Sequence, residues 1–299
     1  MVDSVESRVV YLLMSCNQEA FISKAVLSAL SQTYSDLEIF ISDDASEDLT
    51  FDIIEVEVAK YSGPHPVRLN RNSARLGSVE HLAKVVEMIG DDAFIVMAHG
   101  DDVAMPNRTE VLVEAHQRTG ASMISSRAIW LGLDGEAPKT GKTRFISPER
   151  IILHGWRPEM LGATLAFDPA ILTSFPRLTK KRLPLGLDLL LPLRAAAMDG
   201  LYFVAEDLLY YRIHRNNMSN AFRDKLQSKL ASEERYLTYE IPVGDAQEND
   251  LFFLARRKFV SPRHWILAFG MKLKQRIQRS ALEKRRSQLR RQKMVSPSQ

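Results

Sequence analysis

The chain has 299 residues, of which 45% are hydrophobic and 26% charged, the composition of an ordinary globular protein with one large or two modest domains. Its single cysteine, Cys16, excludes a disulfide framework and a multi-cysteine zinc site. No apolar run approaches the roughly 20 residues that span a bilayer, and the N-terminal residues lack the layout of a signal peptide. We therefore expect a cytosolic protein.

The formal net charge of +3 conceals an uneven distribution of charge along the chain. Residues 255–299 contain 14 Lys and Arg and one acidic residue, Glu283, so this tail carries about +13 and the remainder about −10. The tail and the body of the protein are therefore electrically distinct.

The first 120 residues alternate strand patterns with helix patterns. Short aliphatic and β-branched runs predict strands at residues 9–13, 37–41, 67–70 and 93–98. Apolar residues at helical spacing predict helices at residues 19–32, from about 49 to 60, from about 79 to 90, and at 107–119. Four strands alternating with helices predict an α/β fold with a parallel sheet and helices on both faces.

The pattern after residue 120 is less regular. Strands are predicted at residues 121–130, 160–167, 201–204 and 208–211, and a turn at Asp134-Gly135. The polar residues 136–150 predict a surface loop, Asp168-Pro169 opens a short helix, and a longer helix is predicted at 188–198. Two further helical patterns occupy residues 222–239 and 262–293.

Two pairs of adjacent aspartates directly follow predicted strands. Asp43 and Asp44 follow the second strand, and Asp101 and Asp102 follow the fourth. The carboxyl ends of parallel strands are the ligand-binding edge of an open α/β sheet, and adjacent carboxylates repel each other unless a cation joins them. These pairs indicate a divalent metal with a preference for oxygen ligands, and acidic turns that only cap the following helices are the alternative.

These motifs resemble glycosyltransferase family 2, and the likeness runs from about residue 9 to residue 219. The most specific match to the family's helix, strand and acidic turn is ALSQTYSDLEIFISDDASED at 29–48. Four further segments are similar to the family's sugar-nucleotide contact, metal motif, acceptor side and closing stretch: LMSCN at 13–17, MAHGDDVAMPNR at 97–108, GATLAF at 162–167 and YRIHRNNMS at 211–219.

The resemblance implies a GT-A fold, with a Rossmann-like, mostly parallel central sheet flanked by helices and a C-terminal helical extension. We expect a catalytic domain at residues 1–221, in which about 1–108 bind the nucleotide sugar and 109–221 the acceptor. Residues 222–299 would form the helical, basic extension.

By resemblance, Asp188 is the catalytic base, and Asp102 and His214 are the metal ligands. The nucleotide-sugar contacts implied by the resemblance are Met14, Ser15, Asn17, Asp43, Asp44, Arg75, Asp101 and Arg212. There are two alternatives: Asp188 is only a helix cap, or Arg212 and His214 form a structural pair.

Two positions depart from the family: His99 stands where an aspartate is commonest, and Leu187 stands where a glutamate usually precedes the base. These departures motivate another hypothesis, a degenerate GT-A module that binds carbohydrate or a partner without catalysis.

Sugar transfer from a nucleoside diphosphate to a hydroxyl requires a neutralised leaving group and a deprotonated nucleophile. Mn²⁺ or Mg²⁺ held by carboxylates supplies the first, and a separate carboxylate acting as general base contributes roughly 10²- to 10⁴-fold. With base and leaving group on opposite faces, the displacement inverts the anomeric carbon. We expect an inverting, metal-dependent hexosyltransferase of bacterial-type polysaccharide or glycoconjugate synthesis, with a two-metal phosphotransferase or nuclease as the competing class.

The expected partners are a UDP- or dTDP-sugar in preference to a GDP-sugar, and a carbohydrate or lipid-linked acceptor. Residues 262–279 combine an apolar stripe with a basic face, which is typical of a helix on anionic lipid. The alternative is that this stripe docks on the catalytic domain or on another subunit of a homo-oligomer, and flotation with anionic vesicles would distinguish the two. We expect no nucleic-acid partner, because no aromatic residue follows Phe269. The expected location is the cytoplasm, with peripheral contact at the inner face of the membrane.

Overall fold

The computed structural model describes residues 8–132, 141–146, 161–179 and 187–214, with a few further positions between 245 and 280. The chain divides into two compact units, Met1–Asn220 and Ala221–Gln299, and the elements described below all belong to the first. Most of the two C-terminal helical patterns and the turn at Asp134-Gly135 lie outside the described residues. The expected membrane contact and the functional division of the chain therefore stay predictions. Among the described residues, no helix has the length and apolarity to cross a bilayer.

The first half of the chain alternates strands and helices as the sequence predicts. The strands are β1 (Arg8–Ser15), β2 (Leu37–Asp43), β3 (Val67–Arg71), β4 (Ala93–His99) and the short β5 (Val103–Ala104). The helices are α1 (Ile22–Leu30), α2 (Thr50–Ala59), α3 (Ser78–Ile89) and α4 (Arg108–Thr119). Gly120 ends α4 in the left-handed region, with φ 64°, which glycine adopts without steric cost.

The second half contains shorter elements. In chain order these are β6 (Met123–Leu131), β7 (Arg144–Ile146), a 3₁₀ turn at Gly162–Thr164, β8 (Ala166–Phe167), α5 (Ala170–Thr173), α6 (Leu187–Ala196) and β9 (Leu201–Arg212). The helices at Asp168-Pro169 and Asp188 are thus confirmed, each beginning within two residues of its predicted start.

The described strands form one sheet in the order β3-β2-β1-β4-β8-β6-β9-β5, and β7 pairs with β9 beside this path. Strands β1 to β4 pair in parallel, and so do β6 and β9. Strands β5, β7 and β8 pair antiparallel with their neighbours. The predicted α/β fold with a mostly parallel sheet is confirmed, and the two-residue strand β8 joins its two parallel parts.

The centre of the sheet is buried on both faces. Tyr11 of β1, Phe40 of β2 and Phe94 of β4 are each at most 1% exposed. This burial explains why these strands appear in the sequence as continuous apolar runs rather than as alternating patterns. Because the strands are fixed on both faces, the turns at their carboxyl ends have fixed positions.

One long strand replaces the two short strands predicted at 201–204 and 208–211. Strand β9 continues through Ala205 and the acidic residues Glu206 and Asp207 because its partner β6 shifts register on either side of Arg127. The Arg127 guanidinium then donates two hydrogen bonds, of 2.7 and 2.9 Å, to the Asp207 carboxylate. The prediction of two strands was wrong because the polar interruption is accommodated by this bulge and ion pair.

Two further predictions need correction. Residues 144–146 lie in the predicted surface loop but form β7, in which Arg144 pairs with Phe203 and Ile146 with Leu201. The strand predicted at 160–167 is confirmed only for Ala166 and Phe167, since the preceding residues 162–164 form a 3₁₀ turn. Both segments take their structure from distant strands, which local sequence patterns do not reveal.

Candidate active site

Three neighbouring parallel strands, β2, β1 and β4, end at the same edge of the sheet. Ser15 of β1 is in register with Asp43 of β2, and Met14 is in register with His99 of β4. Just beyond β4, the Gly100 amide donates a 2.9 Å hydrogen bond to the Met14 carbonyl. This register brings the two acidic pairs to one edge, with Met14 and Ser15 between them.

Asp43 is fully buried and holds the first acidic turn together. Its Oδ1 accepts hydrogen bonds from Ser15 Oγ at 3.1 Å and Ser46 Oγ at 2.5 Å, and its Oδ2 accepts one from the Ser46 amide at 2.8 Å. The Nε of Arg71 lies 3.9 Å from the same carboxylate. These contacts fix the shape of the turn and hence the position of the next residue, Asp44.

Asp44 binds the backbone that precedes α3. Its Oδ1 accepts hydrogen bonds from Asn72 Nδ2 and the Leu76 amide, both at 2.9 Å, and its Oδ2 accepts one from the Gly77 amide at 2.7 Å. Burial raises the pKa of Asp44, but these hydrogen bonds outweigh burial and hold the pKa below its usual value. The carboxylate thus binds the Leu76 and Gly77 amides just before α3. It does not cap α2, the helix that follows it in the chain. Of its roughly four lone-pair sites, three are occupied.

We expect Asp44→Asn to lower the free energy of unfolding by about 1.5–3 kcal/mol at neutral pH, because hydrogen bonds to a charged acceptor are lost. The folded-state pKa lies below the unfolded value of about 3.9, so this stabilisation is present above that pH and is lost as the pH falls through the folded pKa. Urea unfolding near neutral pH and near about pH 3 should show a difference between wild type and variant that shrinks in acid. Asp36→Asn, at an exposed aspartate before β2, is the control, and equal effects of the two variants would contradict this role.

The turn after β1 is hydrogen-bonded to the first acidic turn. Asn17 has a positive φ of 51°, its amide donates to Ser46 Oγ at 2.8 Å, and its Oδ1 accepts from the Glu47 amide at 2.8 Å. Burial raises the pKa of the neighbouring Cys16 thiol, although the positive charge of Arg75 opposes the rise. Arg75 is exposed on the loop before α3. The predicted contact Arg75 therefore lies near the turn after β1, which contains the predicted contact Asn17.

Gly100 connects β4 to the second acidic pair at a point crowded by neighbouring side chains. A Cβ atom at this position would lie 2.5 Å from Gln18 Oε1, 2.8 Å from Ile22 Cδ1 and 3.1 Å from Ser15 Cβ. A larger residue here would have to displace the side chains of Gln18 and Ile22 at the start of α1. This closeness places the second acidic pair beside the turn after β1.

The second acidic pair is held by the end of β9. The Arg212 amide donates to Asp102 Oδ1 at 2.9 Å, Arg212 Nε donates to the Asp101 carbonyl at 3.1 Å, and His214 Nε2 lies 3.0 Å from Asp101 Oδ2. The Phe21 ring packs against Arg212 and His214. Its centroid lies 5.0 Å from the Arg212 guanidinium carbon and 4.5 Å from the centroid of the His214 ring. The fold thus brings together four predicted site residues that are far apart in sequence. No sequence pattern indicated Phe21 as a site residue.

The donor set at the end of β4 fits a divalent metal ion. One ligand atom from each of His99, Asp101 and Asp102 lies within 4.8 Å of the other two. Within the described residues, the buried Asp102 Oδ2 has no hydrogen-bond partner, and burial together with the Asp101 charge raises the pKa of Asp102 well above its usual value. Burial lowers the pKa of His99, and the neutral imidazole is the form that binds metals. The role of His214 as a ligand stays a prediction, since its contact in this group is the hydrogen bond to Asp101.

Asp188 lies near this group, in the first turn of α6. Gly162 is next to both: a Cβ at Gly162 would lie 4.0 Å from Asp188 Cβ and 3.9 Å from His99 Cε1. The fold therefore brings the predicted base close to the predicted metal motif, with the GATLAF segment between them.

Arg108 has a part in this site that the sequence did not reveal. Its side chain is fully buried, and its Nη2 donates to the Met97 carbonyl at 2.6 Å and to the Ala163 carbonyl at 3.0 Å. It thereby links β4 to the 3₁₀ turn that contains Gly162. Its positive charge opposes the rise in the pKa of Asp102. An arginine at the start of a helix usually faces solvent, so its place in the sequence did not indicate this burial.

A comparison with known families agrees with this geometry. Residues 12–163 match the family model described as Glycosyl transferase family 2. The chain belongs to glycosyltransferase family 2. The matched residues include both acidic pairs and Gly162, while Asp188 and the end of β9 lie beyond them.

A stretch of 115 residues is 34% identical to EpsE of Bacillus subtilis (strain 168), a candidate glycosyltransferase by its name. That match covers 36% of this family 2 chain and only 40% of EpsE.

Solved structures agree in fold. S. aureus TarS 1-349 in complex with UDP-GlcNAc has a TM-score of 0.56 at 13% identity, over 87% of this chain and 83% of that one. The complex of the same protein with UDP has a TM-score of 0.55 at 15% identity, over 88% and 79% of the two chains. At such identities the likeness shows the fold alone, and the predicted GT-A fold is confirmed.

Proposed function

We propose that this family 2 glycosyltransferase moves a sugar from a nucleoside diphosphate to an acceptor hydroxyl, with inversion at the anomeric carbon and with a divalent metal. The observation that carries the proposal is the closeness of Gly162 to both Asp188 and His99. A carboxylate that acts as base and a carboxylate pair that holds the metal must flank a reacting sugar, and Asp188 and His99 both lie next to Gly162.

In this scheme His99, Asp101 and Asp102 would hold the metal beside the donor diphosphate. The ion, when bound, supplies Lewis acidity to the diphosphate oxygens. Asp188 accepts the proton of the acceptor hydroxyl while the hydroxyl oxygen bonds to the anomeric carbon and the bond to the diphosphate breaks. Because the oxygen attacks from the side opposite the leaving group, the anomeric configuration inverts.

The position of Asp188 suits a general base. A carboxylate in the first turn of a helix is stabilised in its ionised form by roughly 0.3–1 kcal/mol, because the unpaired backbone N–H groups there carry partial positive charge. An ionised carboxylate is the form that accepts a proton, so the start of α6 keeps the base ready for the reaction.

The proposed donor is a UDP- or dTDP-hexose. In support, S. aureus TarS, which has the same fold, has been crystallised with UDP-GlcNAc and with UDP. Asp44 has about one lone-pair site left for a nucleobase N–H. The proposed metal is Mn²⁺ or Mg²⁺, and the proposed acceptor is a carbohydrate or lipid-linked glycan of polysaccharide or glycoconjugate synthesis at the cytoplasmic side of a membrane. The family resemblance supports this pathway.

A panel of UDP-, dTDP- and GDP-sugars, each tested with Mn²⁺ and with EDTA, tests the proposal on the full chain. We expect one UDP- or dTDP-sugar to bind at least about tenfold more tightly with metal and to be hydrolysed slowly or transferred, with inversion visible by NMR of the product. Binding without turnover on any acceptor would favour the non-catalytic module. Cleavage of phosphodiesters without binding of any nucleotide sugar would favour the phosphotransferase or nuclease.

A further inference from the structure

His99 is the residue at which this chain departs most visibly from the family's metal motif, and it is the last residue of β4. A ring nitrogen of His99 belongs to the group of three ligand atoms that lie within 4.8 Å of one another. Two atoms on one ion, with bonds of about 2.2 Å, are about 3 Å apart at right angles and at most about 4.4 Å apart when opposite, so an ion would draw these three atoms together by at most about 1–2 Å. The ring is thus within reach of a shared ion.

The surroundings of His99 leave its ring available to an ion. Within the described residues, the ring makes no side-chain hydrogen bond, and a Cβ at Gly162 would lie 3.9 Å from its Cε1. Its two neighbours in the group are carboxylates, one of which has a buried oxygen, Asp102 Oδ2, that accepts no hydrogen bond in the described part of the chain. A cation shared by the imidazole and the two carboxylates would satisfy that oxygen.

We infer that His99 binds the metal through a ring nitrogen, and that this nitrogen makes the site select Mn²⁺ over Mg²⁺. The inference rests on the proposed function and adds to it the identity of the ion. Mg²⁺ demands oxygen ligands in near-ideal octahedral geometry and gives up its water reluctantly, whereas imidazole is a good ligand for transition ions. One nitrogen and two carboxylates therefore favour a transition dication more than a set of carboxylates alone does.

The test measures Mn²⁺ binding to the full chain in the presence of UDP, from the loss of the sharp EPR signal of free Mn²⁺, with Mg²⁺ as competitor. We expect Mn²⁺ to bind at least about tenfold more tightly than Mg²⁺, and His99→Asp to reduce this ratio by about tenfold or more while improving Mg²⁺ binding. Pulsed EPR of wild-type protein should show hyperfine coupling of Mn²⁺ to a nitrogen, and the coupling should be absent in His99→Asp.

His116→Asn is the matched control, since the His116 imidazole stacks on Phe94 at 4.1 Å and contacts the Ala121 carbonyl, outside the group of three. It should keep both the ratio and the coupling. Wild-type protein that binds Mn²⁺ without nitrogen coupling would overturn this inference and leave the proposed function intact, even if His99→Asp failed to fold. Wild-type protein that binds neither ion, and transfers sugar equally well in EDTA, would overturn the metal requirement of the proposed function as well.

Discussion

Asp188→Asn is expected to lower kcat by about 10²- to 10⁴-fold and to leave the affinity for the nucleotide sugar nearly unchanged. The amide keeps the size of the side chain at the start of α6 but cannot accept the proton of the acceptor hydroxyl. Proton transfer occurs only in the transition state, whereas the nucleotide is expected at the ends of β1, β2 and β4. Steady-state kinetics and calorimetric binding of the donor measure the two effects separately.

The pH dependence of the rate gives a second check on Asp188. The wild-type rate should fall in acid as the base becomes protonated, and the residual rate of Asp188→Asn should lack that fall. Asp91→Asn, at an exposed aspartate in the turn before β4, should behave as wild type. A wild-type kcat in Asp188→Asn would mean that another group accepts the proton.

The first half of the fold could be predicted because its sequence patterns are local consequences of burial. Strands in the centre of a parallel sheet are apolar on both faces, so they appear as continuous runs, and the helices between them have one apolar face. The acidic pairs could be assigned to the ligand-binding edge for the same reason, since parallel strands align their carboxyl ends. Here the register of β1 with β2 and β4 brings them together.

The second half could be predicted less well, because its strands depend on distant partners. Strand β8 has only two residues, yet it pairs with both β4 and β6. Strand β7 lies in a polar segment with Phe145 half exposed, and its structure comes from β9. Neither segment has the length or the periodicity that marks a strand in a sequence.

The buried polar residues show the same limit at the candidate site. The sequence indicated Asp44 as a ligand-binding residue or as a cap of the next helix. Instead of capping that helix, its carboxylate binds the loop before α3, about thirty residues further on, and its ligand-binding role stays a prediction. The sequence patterns assigned Arg108 no role of its own, yet it is fully buried between β4 and the Gly162–Thr164 turn. A buried polar side chain takes its role from the partners that the fold brings to it, and these partners are not its neighbours in sequence.

Asp102→Ala is expected to abolish the metal-dependent part of UDP binding, a loss of at least about tenfold in the presence of Mn²⁺. The substitution removes a carboxylate of the group at the end of β4 and the buried oxygen that an ion would satisfy. Unlike Asp188, this residue would act on the ground-state complex, so the affinity should fall together with the rate. Calorimetric titration of UDP with Mn²⁺ and with EDTA measures the metal-dependent part directly.

Asp102→Ala also removes the acceptor of the Arg212 amide, which alone costs about 1–3 kcal/mol of stability if that amide stays buried. Asp102→Asn separates the two effects, because its Oδ1 can still accept the hydrogen bond from Arg212 while the charge that binds the ion is gone. We expect the asparagine variant to have a melting temperature close to that of wild type and yet to bind UDP with Mn²⁺ no better than with EDTA.

If the asparagine variant keeps metal-dependent binding, Asp102 is a structural partner of β9 and not a ligand. Equal losses of binding in Asp102→Asn and Asp188→Asn would show that the roles of ligand and base are wrongly divided between these two aspartates.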